Sequence, residues 1–149
     1  MASFSISEYI DRNPQDTFDF ATNFDTVSGW IPQITRIEKL TPGPMAAGTL
    51  FRETRKMGSR EHASVIEVTE HTRPTVHSAS ARCMGCVAFY RYTFQPEGQG
   101  TRVDLHAEVK GSGLAKLIAP MLLTAMRKQD GDQLASLKKA IESGTPAKG

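Results

Sequence analysis

Short segments in which apolar and polar residues alternate make up most of the chain. Side chains of a strand point to the two faces of a sheet in turn, so this period of two predicts β-strands. The first strand lies in SFSISEYI. Six more candidate strands follow, at residues 34–40, 49–57, 61–70, 75–82, 87–95 and 101–110. The linkers between them are short, which favours antiparallel pairing, because parallel strands need long crossovers.

Apolar residues at helical spacing occur after the first strand and near the C-terminus. Asn13 suits an N-cap and Pro14 the first helical position, so a short amphipathic helix is predicted there, followed by a second brief helix or turn. Residues 114–141 carry a wide apolar stripe that predicts one long helix. We expect Pro120 to kink this helix, and Gly131 to weaken it by about 1 kcal/mol relative to alanine.

The order of these elements predicts an α+β fold. We expect a seven-stranded curved antiparallel sheet wrapped around the long C-terminal helix, with the two short helices between the first and second strands. Residues 1–143 would form this single domain, and residues 144–149 a flexible tail. One helix seldom fills the concave face of such a sheet, so a cavity is expected between them.

Charge and composition exclude several classes of function. Lys and Arg total 18 against 16 Asp and Glu, and these basic residues are spread along the chain, so nothing indicates nucleic-acid binding. No apolar run approaches the ~20 residues that span a bilayer, and the N-terminus lacks the pattern of a signal peptide. We therefore expect a soluble, cytoplasmic protein that needs no cofactor, either a monomer or a homodimer.

The strand LFRETRKM has no clean apolar face. One of its faces carries Phe51, Glu53, Arg55 and Met57. A carboxylate and a guanidinium between two apolar ends indicate either an exposed ion pair or an interior pair that orients a polar group of a ligand. Burying either charge alone is costly. If the two residues lie inside, they should therefore pair with each other or with a neighbouring tyrosine or histidine. The pattern leaves open which face is inside.

The motif CMGC is explained by a turn between two strands. A zinc site would need two ligands besides Cys83 and Cys86, and a thioredoxin-like redox motif would open a helix. The turn-forming Gly85 accounts for the spacing, and whether the cysteines are ever oxidised is left open.

The four histidines are not at metal-ligand spacing, so no metal site is expected. His62 shares a face with apolar residues and could reach the mouth of the cavity. We expect His71, His77 and His106 to face solvent, since His71 lies in a turn and the other two alternate with apolar neighbours.

The order of elements and several phrases resemble the SRPBCC superfamily (START and birch-pollen-allergen-like proteins), especially its polyketide cyclase/dehydrase-like branch. The phrases are NPQDTFDFATNFDTVSGWIP, GTLFRETRKMGSR, IEVTEHTRP, YRYTFQPEGQGTRVDLHAEV and LIAPMLL. The resemblance implies a helix-grip fold with a deep cavity under the C-terminal helix, usually for a hydrophobic small molecule. It does not imply one activity, because this fold serves carriers, cyclases and receptors alike. Cyclase members tend to place an arginine on the strand after the first long hairpin, and EHASVIEV has none.

Three functions remain as hypotheses. The first is binding of a hydrophobic or amphipathic small molecule, lipid- or polyketide-like, in the cavity. The second is a polyketide cyclase or dehydratase in which Glu53, His62 or Tyr90 moves protons. The third is a protein-interaction module. The residues expected to bind the ligand are Trp30, Phe51, Glu53, Arg55, Met57, Ile66, Tyr90, Tyr92, Leu105, Leu117, Met121 and Leu122.

Overall fold

A computed structural model describes residues 2–83 and 85–143 and confirms the α+β helix-grip fold. Seven strands in the described ranges form one antiparallel sheet with the spatial order β1-β7-β6-β5-β4-β3-β2. The strands are β1 (Ala2–Ile10), β2 (Ile34–Lys39), β3 (Leu50–Met57), β4 (Arg60–Thr72), β5 (Val76–Cys83), β6 (Cys86–Glu97) and β7 (Gly100–Gly111). Successive strands from β2 to β7 pair as hairpins, and β1 joins the sheet beside β7.

The first helix forms where its capping residues predict it. Helix α1 (Pro14–Thr22) begins after Asn13, whose Oδ1 accepts a hydrogen bond of 2.8 Å from the backbone N–H of Asp16. This bond satisfies one of the N–H groups that the first turn leaves without a helical partner. A single 3-10 turn (Val27–Gly29) follows before β2.

The C-terminal helical region is divided into three parts. A 3-10 turn (Gly113–Leu117) precedes α2 (Ala119–Asp130) and α3 (Gln133–Glu142). Pro120 therefore lies in the first turn of α2, where its missing N–H costs no helical hydrogen bond, and the expected kink does not arise. The separation between α2 and α3 falls at Gly131, the weak point that its low helix propensity predicts.

Helix α3 provides most of the burial that fixes this region to the sheet. Its Leu134, Leu137 and Ile141 are buried in the main core together with Phe18 of α1. Of the α2 side chains that the structure describes, Ala119 alone is buried. Because buried apolar area is the main source of stability, α3 anchors the C-terminal region more strongly than α2. No helix within the described ranges is both long and apolar enough to cross a membrane.

Candidate functional site

A cavity of about 820 Å³ lies between the concave face of the sheet and α2. The strands β2 to β7 contribute to its wall, together with residues 21–31 and one face of α2. Pockets for small molecules typically enclose roughly 300–1,000 Å³, so this cavity is large enough for a ligand of several fused rings or a folded acyl chain.

Three alanines at the centre of the sheet create much of this space. Ala79 and Ala81 of β5 and Ala88 of β6 all belong to the cavity wall. Ala81 and Ala88 lie directly opposite each other in the β5–β6 ladder. Since each side chain is a single methyl group, the sheet surface recedes here, whereas bulkier wall residues such as Tyr90 and Phe94 surround it.

The mixed strand LFRETRKM turns its charged pair inward. Phe51, Glu53 and Arg55 all belong to the cavity wall. Arg55 Nε donates a hydrogen bond of 2.8 Å to Glu53 Oε2, and the two side chains are only 17% and 13% exposed. The pairing meets the requirement that neither charge be buried alone. It also places a charged hydrogen-bonding group beside an apolar cavity.

We expect Arg55→Met to lower the free energy of unfolding by about 2 kcal/mol, because it removes a charge-assisted hydrogen bond from the mostly buried Glu53. Urea unfolding measures the change, with Arg36→Met as the matched control. Arg36 pairs with Glu38 at 3.4 Å but is 69% exposed, so its loss should cost well under ~1 kcal/mol. The double variant Glu53→Gln/Arg55→Met should recover part of the loss. Equal costs for Arg55 and Arg36 would contradict an interior role for the pair.

The tyrosines of β6 lie inside, as the family resemblance implies. Tyr90 and Tyr92 both belong to the cavity wall. The hydroxyl of Tyr92 donates a hydrogen bond to Oε1 of Gln133, the first residue of α3, and Gln133 is buried although it is polar. This bond connects the sheet to the point where α2 ends, so it helps to fix the end of the cavity.

A pair of histidines lies at the cavity, although the sequence predicts that both face solvent. His71 of β4 and His77 of β5 lie opposite each other, and their Nδ1 atoms are 3.1 Å apart. His77 belongs to the cavity wall, and the ring of His71 lies against Phe18, with centroids 5.1 Å apart. Burial, with a smaller contribution from His71, lowers the pKa of His77 to about 4. Burial also lowers the pKa of His71, although Asp19 opposes the shift.

The prediction for these two histidines is wrong for identifiable reasons. His71 does not lie in a turn, because β4 extends to Thr72 and includes it. The outward assignment of His77 assumes that Val76 marks the inner face of β5. The inner face in fact carries Ala79 and Ala81 at the same parity as His77. His106 does face outward, where it contacts Ser5 and Glu108, and that expectation holds.

Trp30 is one of the most deeply buried parts of the wall. It is 3% exposed, and its indole Nε1 has no hydrogen-bond partner among the described residues. A buried indole N–H normally has a partner, because leaving it without one costs roughly 1–3 kcal/mol. Trp30 Nε1 is therefore a buried donor that no described residue satisfies.

The structure brings most of the predicted ligand-binding residues together, with His62 exposed at the rim. Those in the cavity wall are Trp30, Phe51, Glu53, Arg55, Ile66, Tyr90, Tyr92 and Leu122. Their contact with a ligand stays a prediction. The side chain of Met57 lies outside the part of the chain that the structure describes, as does that of Cys83.

Three predicted ligand contacts lie outside the cavity wall. Leu105 is fully buried in the main core, to which side chains of α3 also belong. Leu117 and Met121 are 80% and 62% exposed. The prediction of one continuous apolar stripe is wrong here because residues 113–117 form a 3-10 turn. The period of such a turn is near three residues, whereas that of an α-helix is 3.6. Neither Leu117 nor Met121 is therefore retained as a ligand contact.

Some wall residues carry little sequence pattern of their own and are not predicted. Ala79, Ala81 and Ala88 sit at inward positions of β5 and β6, and their alternation was the available signal. Phe24 contacts Phe51, with ring centroids 4.8 Å apart, from a loop that has no periodicity. Gln133 reaches the wall only because the helical region divides before it, which its polar character alone does not indicate.

Solved structures similar to this chain share its fold at low sequence identity. Ara h 8.0201 superposes with a TM-score of 0.77 at 14% identity, covering 96% of this chain and 99% of that chain. TTHA0849 from Thermus thermophilus gives 0.76 at 16% identity, covering 97% and 99%. BexL, a di-domain ARO/CYC from the BE-7585A biosynthetic pathway, gives 0.72 at 15% identity, covering 92% of this chain and 48% of BexL.

The sequence itself identifies a family. No curated protein matches the chain in sequence. A family profile described as "Polyketide cyclase / dehydrase and lipid transport" matches residues 1–142, which is nearly the whole chain. The chain therefore belongs to the polyketide cyclase/dehydrase and lipid transport family.

Proposed function

We propose that this protein binds a hydrophobic or amphipathic small molecule, lipid- or polyketide-like, in the cavity between the sheet and α2. The observation that carries the proposal is a cavity of about 820 Å³ with an aromatic and aliphatic wall. Moving the apolar surface of a ligand from water into this cavity is favourable by about 25 cal/mol per Å².

The polar groups in the wall favour an amphipathic ligand over a pure hydrocarbon. The Glu53–Arg55 pair contributes charged groups to the wall, and His77 contributes a neutral polar group. A few placed polar groups in an apolar wall are typical of specific small-molecule sites. A ligand with one or more oxygen atoms on an apolar skeleton uses both kinds of surface.

The relatives agree with this class of ligand. The family description combines polyketide cyclases and dehydrases with lipid transport. The titles of BexL and of StfQ, which resembles this chain with a TM-score of 0.75 at 13% identity, both name ARO/CYC proteins of biosynthetic pathways. Identity this low shows the fold alone, so the ligand class rests on the cavity.

Intrinsic fluorescence provides a direct test, because Trp30 is the only tryptophan. Titration with a fatty acid, a sterol and an aromatic polyketide should give a saturable change in Trp30 emission for at least one compound. Ala81→Phe, which narrows the cavity, should weaken that response, whereas the exposed Ala63→Phe should not. A flat response for all three compounds, or equal responses in both variants, would contradict the proposal.

A cyclase or dehydratase activity is the second candidate, and one observation favours it. Glu53, His62 and Tyr90, the three predicted proton-transfer residues, all belong to one cavity wall. Proton transfer requires such groups within hydrogen-bond reach of the substrate. If Glu53→Gln, His62→Ala and Tyr90→Phe all leave turnover of a linear poly-β-ketone substrate unchanged, these residues do not transfer the protons. If the wild-type protein binds this substrate without turning it over, the protein is a carrier rather than a cyclase.

A partner-binding role rests on a separate surface. Leu114, Leu117 and Met121 are all more than half exposed around the start of α2. Sedimentation at rising protein concentration tests self-association through this surface. A homodimer that Leu117→Ser dissociates supports the role. A protein that stays monomeric at every concentration tested does not self-associate through it.

A further inference from the structure

The His71–His77 pair has a geometry that couples the tautomers of its two rings. A hydrogen bond between two Nδ1 atoms 3.1 Å apart requires one of them to carry the proton and the other to be bare. In a neutral imidazole the proton sits on one nitrogen only. The ring that donates through Nδ1 therefore has a bare Nε2, and the ring that accepts has a protonated Nε2.

The nitrogen of His77 that remains available is Nε2. Its Nδ1 is engaged by His71, and the ring belongs to the cavity wall. Within the described part of the chain no residue forms a hydrogen bond to Nε2 of His77. This nitrogen therefore presents either a donor or an acceptor to the cavity, and the choice depends on which ring donates in the pair.

The surroundings keep both rings neutral and do not fix one tautomer. Phe18 packs against His71, and Asp19 on α1 pairs with Arg73 at 2.7 Å, so its carboxylate is already occupied. Tyr92, which lies opposite His77 in the β5–β6 ladder, donates its hydroxyl to Gln133. The lowered pKa values of both histidines agree with neutral rings.

A hydrogen-bonding role suits the pair better than metal binding. In the described ranges no group of three or more His, Cys, Asp or Glu residues is placed to hold a metal ion. Two imidazoles alone fall short of the four ligands of an ordinary zinc site. Their mutual hydrogen bond also occupies the Nδ1 atoms of both rings.

We propose that His77, backed by His71, is a subsite for one oxygen atom of the ligand, and that the two rings switch tautomers together to bind it either as a hydroxyl or as a carbonyl. A ligand hydroxyl donates to bare Nε2 of His77 while His77 donates through Nδ1 to His71. A ligand carbonyl accepts from protonated Nε2 of His77 while His71 donates to His77. Between the two states the shared proton moves from one Nδ1 to the other, while one Nε2 releases a proton to water and the other Nε2 takes one up, so both rings stay neutral. The subsite therefore takes both members of a hydroxyl/ketone pair on one apolar skeleton. This inference deepens the proposed function and rests on it.

The test uses three probes with one bicyclic skeleton: 1-naphthol as donor, 1-tetralone as acceptor and naphthalene as the apolar reference. The full chain, labelled with ¹⁵N, is titrated with each, and long-range ¹H–¹⁵N spectra report the tautomers of His71 and His77. We expect 1-naphthol to shift the tautomer populations of both histidines in one direction. 1-Tetralone should shift the same populations in the opposite direction. Each should bind about fivefold more tightly than naphthalene, as one net hydrogen bond of ~1 kcal/mol implies.

Variants separate the subsite from general cavity effects. In His71→Phe the Nδ1 atom of His77 loses its partner, so the affinities of 1-naphthol and 1-tetralone should move towards that of naphthalene. His77→Phe should bind 1-naphthol and 1-tetralone no more tightly than naphthalene. If this variant fails to fold, His77→Gln, which keeps a polar side chain, provides the same test. His106→Phe, which changes a histidine on the outer face, should leave every affinity unchanged.

The outcomes distinguish the subsite from the cavity itself. If wall amides such as that of Ala81 shift with all three probes while the histidine nitrogens stay still, the subsite is wrong and the cavity remains. The same holds if His77 responds and His71 does not, because the coupled switch is then absent. If no wall amide shifts with any probe, the proposed function fails and the subsite with it.

Discussion

Acidification from pH 7 to about pH 4.5 is expected to remove about 2 kcal/mol of stability through His77 alone. The unfolded chain protonates this histidine near its ordinary pKa of 6.5, whereas burial lowers its pKa in the folded protein to about 4. Between these values the unfolded state binds more protons, so the contribution is complete above pH 6.5 and is lost as the pH falls towards 4. Inside this window the free energy of unfolding changes by about 1.4 kcal/mol for each pH unit. Most of the window lies above about pH 4.5.

Urea unfolding of wild type and His77→Phe across this range measures the effect. His77→Phe should lose the histidine part of the pH dependence, whatever its stability at pH 7. The carboxyls of Glu70 and Glu142, whose pKa values are lowered by hydrogen bonds from Arg91 and Lys138, titrate in both proteins and cancel in the comparison. Identical slopes for wild type and His77→Phe would show that His77 is not held neutral in the wall.

Filling the floor of the cavity should abolish ligand binding without harming the fold. In Ala81→Trp the indole would extend into the space that three alanines leave open, where it displaces ligand volume and buries apolar surface of its own. We expect at least about a tenfold loss of affinity for any cavity ligand, equivalent to about 1.4 kcal/mol. Calorimetric titration measures the affinity, and thermal unfolding should show stability equal to or above that of wild type.

The matched control places the same side chain on the other face of the sheet. Ala63 is exposed on β4, whose inward positions are occupied by His62, Ser64 and Ile66. Ala63→Trp should leave the affinity unchanged. If Ala81→Trp is stable and still binds as tightly as wild type, the ligand does not occupy the cavity.

The sequence predicts the strands well because their period of two is local. Five successive hairpins separated by turn residues leave little choice of topology, and the capping of α1 by Asn13 is equally local. Strand parity places Tyr90 and Tyr92 on one face of β6, and the family resemblance assigns that face to the interior. These features depend on neighbours within a few residues, so no tertiary information is needed to predict them.

The features that sequence reasoning missed depend on contacts between distant residues. His71 and His77 meet only because β4 continues past the predicted turn, and their hydrogen bond has no counterpart in any motif. The low helix propensity of Gly131 predicts the break between α2 and α3, but not the hydrogen bond between Tyr92 and Gln133, which are 41 residues apart. Leu117 shows the converse, since it is an apolar residue at apparent helical spacing that lies in solvent.

The central claim is that a small molecule binds between the sheet and α2, and amide NMR tests it most directly. ¹⁵N-labelled protein is titrated with a fatty acid, a sterol and an aromatic polyketide. The account predicts that at least one compound shifts the amides of Trp30, Ala81, Tyr90 and Leu122 together, while that of the exposed Ala63 stays still. It is contradicted if no compound moves these wall amides at millimolar concentration, or if the shifts are confined to the outer surface.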